Sequence, residues 1–185
     1  MRLFWIVSLL WFISEVSLAY FKKASHSSGD LDKSSFRLLW IVIIVSIGLG
    51  VYFAISGTGA IKMYRYEIHV AGMVIICLGL LLRWLAIFQL RKYFTVNVAI
   101  GEDHQLVQGG LYRYIRHPSY TGSLFSFLGL GIALVNWISL LIIFIPILLS
   151  FLYRISVEEK AMARTFGAEY EHYRAKTKKL IPWIY

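Results

Sequence analysis

The stretch His104 to Tyr120 reads His-Gln-Leu-Val-Gln-Gly-Gly-Leu-Tyr-Arg-Tyr-Ile-Arg-His-Pro-Ser-Tyr and lies between long apolar runs. Arg and His donate hydrogen bonds to carboxylates, Tyr offers a ring face with a hydroxyl, and Gly lets backbone approach a ligand. Pro118 has a preset φ and no N–H, so it is predicted in the first turn of the helix that follows. A helix starting there aims free N–H groups and a positive dipole end toward His117, a place for an anionic group. A plainer role is a basic loop that sets topology and touches lipid phosphates. Further on, Glu158 follows Arg154 by four residues, so the two share a helix face, and Glu159 stands beside them. A surface ion pair would account for Arg154 and Glu158 at about 0.5 kcal/mol. The favoured reading is a pocket: carboxylate for an ammonium, guanidinium for a carboxylate, and a helix end for another carboxylate. Such a pocket suits a zwitterionic cofactor with an acidic substrate. His104 and His117 have no third ligand at metal spacing, so no metal is expected.

Membrane helices must position these groups. The chain has 185 residues, 58% of them hydrophobic, and a mean hydropathy of +0.66. Long apolar runs of this kind read as an all-α, polytopic membrane protein. A net charge of +9 on a soluble chain would suggest nucleic acid, but here Lys and Arg marking the cytoplasmic side explain it better. The single cysteine, Cys77, excludes an internal disulfide and is expected to be a small buried hydrophobe.

Spans are predicted over 3–21, 36–56 and 68–90, then a helical hairpin of 120–135 and 137–153 joined at Asn136 and kinked at Pro146. The first reads as a retained span rather than a signal peptide. Glu15 is expected near its boundary, facing protein or snorkelling, and Arg83 to snorkel toward Arg91 and Lys92 or to line a polar cavity, with snorkelling favoured. Gly72 and Gly79 recur at a spacing that suits close helix packing. The polar segment 91–119 forms a cytoplasmic loop with an extended piece at 94–100, and 154–179 an amphipathic interfacial helix interrupted by Gly167. Lys176, Lys178 and Lys179 should attract anionic headgroups. Residues 1–90 thus form three N-terminal spans and 91–185 the catalytic region. With five spans, fifteen Lys and Arg fall on the side of the tail and three on the other, so the tail is predicted cytoplasmic and the N-terminus outside. Tyr120 and Arg154 then bracket the hairpin and meet at one membrane edge.

His104-x-Leu106-Val107-x-x-Gly110-x-Tyr112, Arg116-His117-Pro118-Ser119-Tyr120-x-Gly122, Arg154-x-x-x-Glu158-Glu159 and Phe166-Gly167-x-x-Tyr170-x-x-Tyr173 together resemble the isoprenylcysteine carboxyl methyltransferase family over roughly residues 93–182. The shorter core is similar to phospholipid methyltransferases as well, and the His-x-Leu-Val block favours the carboxyl enzymes. The resemblance implies an S-adenosylmethionine-dependent membrane methyltransferase that yields S-adenosylhomocysteine. It places cofactor contacts on His104, Gln105, Leu106, Val107, Tyr112, His117, Pro118, Ser119, Tyr120 and Glu158, and the acceptor-side arginine on Arg154. It also implies a pocket closed over by the C-terminal segment, a lipidated acceptor and membrane lipids as partners. The chain looks like the compact prokaryotic members, which places it in an inner or plasma membrane with the site facing the cytoplasm. Two readings stay open beside carboxyl methylation: N-methylation of a phospholipid headgroup, with Glu159 or Tyr120 as base, and a silent scaffold or nicotinamide-dependent reductase relative. The absence of a strand followed by a Gly-rich loop argues against a soluble Rossmann-type enzyme.

Overall fold

The computed structural model describes residues 2–21, 30–90, 106–182 and 184–185, whose ordered elements are helical. These are α1 (Arg2–Phe21), α2 (Asp30–Ser56), α3 (Arg65–Leu90), a short 3-10 turn (Gly110–Arg113), α4 (Pro118–Ala133), α5 (Trp137–Phe166) and α6 (Ala168–Lys176). Lys33–Ser56, Arg65–Leu90 and Trp137–Phe166 are long and apolar enough to cross a membrane, whereas α4 has 16 residues and α1 an apolar stretch of Ile6–Leu18. The outward faces are apolar too: Leu9, Phe12, Ile44, Leu78, Phe88 and Leu149 are exposed. That inversion is what a lipid-embedded chain shows, because hydrocarbon is its solvent. The protein is an integral membrane protein.

Three predicted boundaries move. The second helix starts at Asp30, six residues before the span predicted from residue 36. The fifth does not stop at Tyr153 but continues, unbroken through Pro146, to Phe166. Gly167, at φ +52, ends it and starts the separate α6, so the amphipathic tail is two pieces, the first being the end of α5. A Gly tolerates this left-handed φ where other residues would strain. The piece predicted at 94–100 lies outside the described residues. Cys77 sits on the exposed face of α3 rather than in the core.

Packing pairs α3 with α4 and α2 with α5. The α3–α4 seam is backbone against backbone: a Cβ built on Gly79 would stand 2.5 Å from Ser126 Oγ and 2.6 Å from Gly122 O, and one on Gly122 2.5 Å from Arg83 N. Gly72 likewise lies against Ala133 and Gly129. Small residues allow this approach, which membrane helices favour in place of a hydrophobic driving force. Across the other seam Ser139 Oγ donates to Gly50 O at 2.6 Å. Trp11, Phe127, Ile143, Ile147 and Phe151 fill the shared core. At the far end Asn136 caps α5 by accepting from Ser139 N at 3.0 Å, and donates to Phe53 O and Thr58 O. It therefore pins the hairpin turn to the end of α2.

Glu15 faces protein, as one of its two expected settings, and Arg83 does not snorkel. Arg83 Nη2 donates to Glu15 Oε2 at 2.6 Å, and Nε lies 2.6 Å from Oε1. Both charges sit within apolar helices, where each satisfies the other's need for a partner that lipid does not supply.

Candidate active site

Pro118 begins α4 at the predicted position, with His117 as N-cap and no side-chain cap bond. The second side of the site comes from α5, whose turn at Arg154–Glu159 runs past that helix end. The Tyr120 side chain interacts electrostatically with both Glu158 and Arg154. The groups concerned stand 34 and 38 positions apart in sequence. The Tyr120 ring stacks on His117, centroids 5.6 Å apart at 13°, and meets Phe151 edge-on at 5.3 Å. His117 Nδ1 lies 4.0 Å from Glu158 Oε2, and its Nε2 3.3 Å from Glu159 Oε1. Two carboxylates thus gather beside the α4 helix end, where the dipole and His117 favour negative charge.

Arg154 is 1% exposed. Its Nη1 donates to Ser35 Oγ at 2.7 Å, and its guanidinium lies 5.5 Å from the centre of the Phe36 ring. The start of α2 therefore completes the wall behind this arginine. The planar fork, with five donors, is fixed by a hydroxyl and a ring face together.

The Arg116 guanidinium does different work. Nε donates to Glu159 Oε1 at 2.7 Å, while Nη1 donates to Thr177 O at 2.5 Å and Arg174 O at 3.2 Å. Those carbonyls belong to the end of α6, which has no helical partner for them. The segment after α6 then lies along residues 114–117: Lys178 N donates to Tyr114 O, Arg116 N to Lys178 O at 2.8 Å, and His117 N to Lys179 O at 3.1 Å. Thr121 Oγ adds a bond to Leu180 O at 2.8 Å. The C-terminal segment covers the start of α4, held there by Arg116 and Glu159. Arg116→Ala removes the buried partner of Glu159 and frees two helix-end carbonyls, at a cost of about 3 kcal/mol. Trypsin cleavage after Lys178 or Lys179 should then run at least about tenfold faster than in the wild type. An unchanged rate would mean that Arg116 does not fasten the segment.

Tyr112 is buried, donates to Ala86 O at 3.3 Å, and accepts at its own carbonyl from Tyr173 Oη at 2.7 Å. Burial, reinforced by the Glu158 carboxylate, pushes its hydroxyl well above the usual phenol range. Burial does the same to Tyr173, so both remain neutral donors. Leu106 and Val107 are half-buried at the approach to this turn. Ser119 is buried with its hydroxyl turned to α3, accepting from Arg83 at 3.2 Å. His104 and Gln105 lie outside the described residues.

A family model described as the isoprenylcysteine carboxyl methyltransferase (ICMT) family matches residues 71–164, from within α3 to the end of α5. The chain belongs to this family. Similar relatives include the protein-S-isoprenylcysteine O-methyltransferase of Schizosaccharomyces pombe, 40% identical over 111 residues, 59% of this chain and 47% of that one. That of Saccharomyces cerevisiae is 34% identical over 131 residues, 67% of this chain and 55% of that one. The fold is similar to a solved structure described as the eukaryotic intramembrane Ras methyltransferase ICMT, with a TM-score of 0.64 and 28% identity over 78% of this chain and 52% of that one. The chain spans about half the length of these family members. The matched segment contains Tyr112, His117, Tyr120, Arg154 and Glu158 and leaves out the C-terminal segment and α2.

Sequence reasoning missed several of the contacts that build the site. Ser35 and Phe36 gave no signal, since a Ser and a Phe at the start of a span are ordinary. Arg116 stood in the quoted motif without a role. Glu15 and Arg83 did carry a signal: two opposite charges in separate apolar helices have each other as the natural partner.

Proposed function

We propose that this chain is an S-adenosylmethionine-dependent methyltransferase that esterifies the carboxylate of a lipid-modified, isoprenylcysteine-like acceptor. The observation that carries this reading is the meeting of α4 and α5 at the α4 helix end, where Tyr120 stacks on His117, His117 Nδ1 lies 4.0 Å from Glu158 Oε2 and Arg154 is buried one turn away on α5. Glu158 Oε2 is buried with no hydrogen-bond donor among the described residues. A buried carboxylate oxygen in that state wants a donor, and the cofactor's ammonium or ribose hydroxyls fit it. Beside Glu158, His104, Gln105, Leu106, Val107, Tyr112, His117, Pro118, Ser119 and Tyr120 would hold the cofactor, and Arg154 the acceptor carboxylate. When bound, the cofactor supplies a methyl group already activated by its sulfonium.

The acceptor carboxylate is ionised near neutral pH and needs no base. What remains for the protein is to hold nucleophile and methyl donor in line and keep water out. Arg154 orients the acceptor oxygen, with Ser35 and Phe36 fixing the guanidinium. Glu158 and His117 hold the cofactor's charged ends, and the Tyr120 side chain interacts with both Glu158 and Arg154. The segment Lys178–Leu180 shields the site, and the lipidated part of the acceptor enters from the bilayer. Five spans put the start of α4, the end of α5 and the tail on the cytoplasmic side.

Glu159 bears on the choice of acceptor. A headgroup amine must lose a proton before it attacks, so a free base is wanted. Glu159 is instead engaged by Arg116 at 2.7 Å and His117 at 3.3 Å. With radiolabelled S-adenosylmethionine and the purified protein in lipid discs, label should pass to an S-prenylated cysteine derivative as a base-labile ester. Transfer to phosphatidylethanolamine alone would overturn the carboxyl reading.

A further inference from the structure

We propose that Arg83 is a positioning residue for the first turn of α4, with Glu15 as its fixed counter-charge, so that α1 is a working part of the site. The inference rests on the methyltransferase reading for its catalytic consequence and on the structure alone for its geometry.

Arg83 reaches two helices at once. Toward α1 it meets both carboxylate oxygens of Glu15, at 2.6 Å each. Toward α4 its Nη1 donates to Ser123 Oγ at 2.6 Å, to Ser119 Oγ at 3.2 Å and to Ser119 O at 3.4 Å. Ser123 Oγ in turn donates to Ser119 O at 3.2 Å. Ser119 immediately precedes Tyr120, whose ring stacks on His117 and meets Phe151 of α5 edge-on. A planar guanidinium held on both edges is a rigid spacer in a way that a lysine ammonium is not.

Stability alone does not account for the arrangement. Replacing a buried ion pair by apolar side chains is often neutral or stabilising, and in lipid the charges are costly to place. What the pair provides that apolar groups cannot is orientation. It holds Ser119 from the α3 side, through both its hydroxyl and its carbonyl. The close Gly79–Gly122 contact lies at the same level, with Arg83 N against Gly122, so backbone contact sets the depth of α4 and the guanidinium sets its rotation.

The test uses the full chain in lipid discs. Glu15→Leu/Arg83→Met removes both charges together and is expected to melt no lower than the wild type. Its kcat is expected to fall about 10–100-fold, as for a reacting group displaced by an ångström, with KM changing less than about threefold. Amide exchange over 119–123 should speed by about tenfold, and Arg83→Lys should not restore the wild-type values. A stable double variant with wild-type kcat and wild-type protection would overturn the proposal. Should that variant fail to fold, Ser123→Ala keeps both charges and removes one hydroxyl. It is expected to raise exchange over the same residues several-fold and lower kcat with the melting midpoint unchanged; no change in either would overturn the proposal. A wild type that neither binds S-adenosylhomocysteine nor transfers a methyl group would instead refute the reading of the site, and the exchange measurement would still decide the geometry.

Discussion

Glu158→Ala should weaken binding of S-adenosylhomocysteine by about 10–100-fold, the equivalent of one or two charge-assisted hydrogen bonds. Arg154→Ala should leave that binding within about threefold and lower turnover by about 100–1000-fold, as when a preorganised charge at the reacting group is removed. The two effects separate because the residues face different ligands. Glu158 presents a buried carboxylate oxygen without a donor among the described residues, whereas Arg154 is fixed by Ser35 and the Phe36 ring. Calorimetry with the product reads the first, and initial rates with labelled methyl donor read the second. Arg154→Lys is a stringent companion, since a lysine keeps the charge and loses the fork. If both alanine variants bind product and turn over like the wild type, neither residue belongs to the site.

Enlarging the α3–α4 seam should have the second-largest effect. Gly79→Leu and Gly122→Val place side-chain atoms where backbone of the facing helix already stands, 2.5–2.6 Å from the first carbon added. Relief requires the helices to part, at about 3 kcal/mol per site and more if the hairpin cannot follow. Parting them also moves Ser119 and Tyr120 away from α5, so activity should fall further than the loss of folded protein explains. Gly48→Ala is the control: nothing lies within 4 Å of its added carbon. There the better helix propensity of Ala should raise stability by up to about 1 kcal/mol. Melting of the three variants in one detergent checks the ranking. A Gly79→Leu protein as stable as Gly48→Ala would contradict the seam.

Much of this was legible in the sequence because membrane helices write themselves in composition. Apolar runs located α1, α2 and α3 to within a few residues apart from the start of α2, and Pro118 marked the start of α4. Gly72 and Gly79 foretold a close seam, because only small residues at that spacing let helices touch in lipid. The four-residue step from Arg154 to Glu158 put both on one face, and the hairpin at Asn136 returned that face to Tyr120. Other features depend on which helices become neighbours. No local pattern says that Ser35 and Phe36 will stand behind Arg154, or that Arg116 will cap α6 instead of binding a ligand. Arg83 was read from its distance to a helix end, and the competing physics, an opposite charge one helix away, proved stronger. The fifth helix was cut short at Tyr153 because the change from apolar to charged residues looked like a boundary. It marks a change of solvent along a continuous helix.

The most direct measurement is a structure of the purified protein with S-adenosylhomocysteine bound. The predicted result is density beside the start of α4, with the Glu158 carboxylate within hydrogen-bond distance of the ligand and the ligand's sulfur facing the Arg154 side of Tyr120. Density elsewhere, or none beside α4 at saturating ligand, would contradict a methyl-transfer site between α4 and α5.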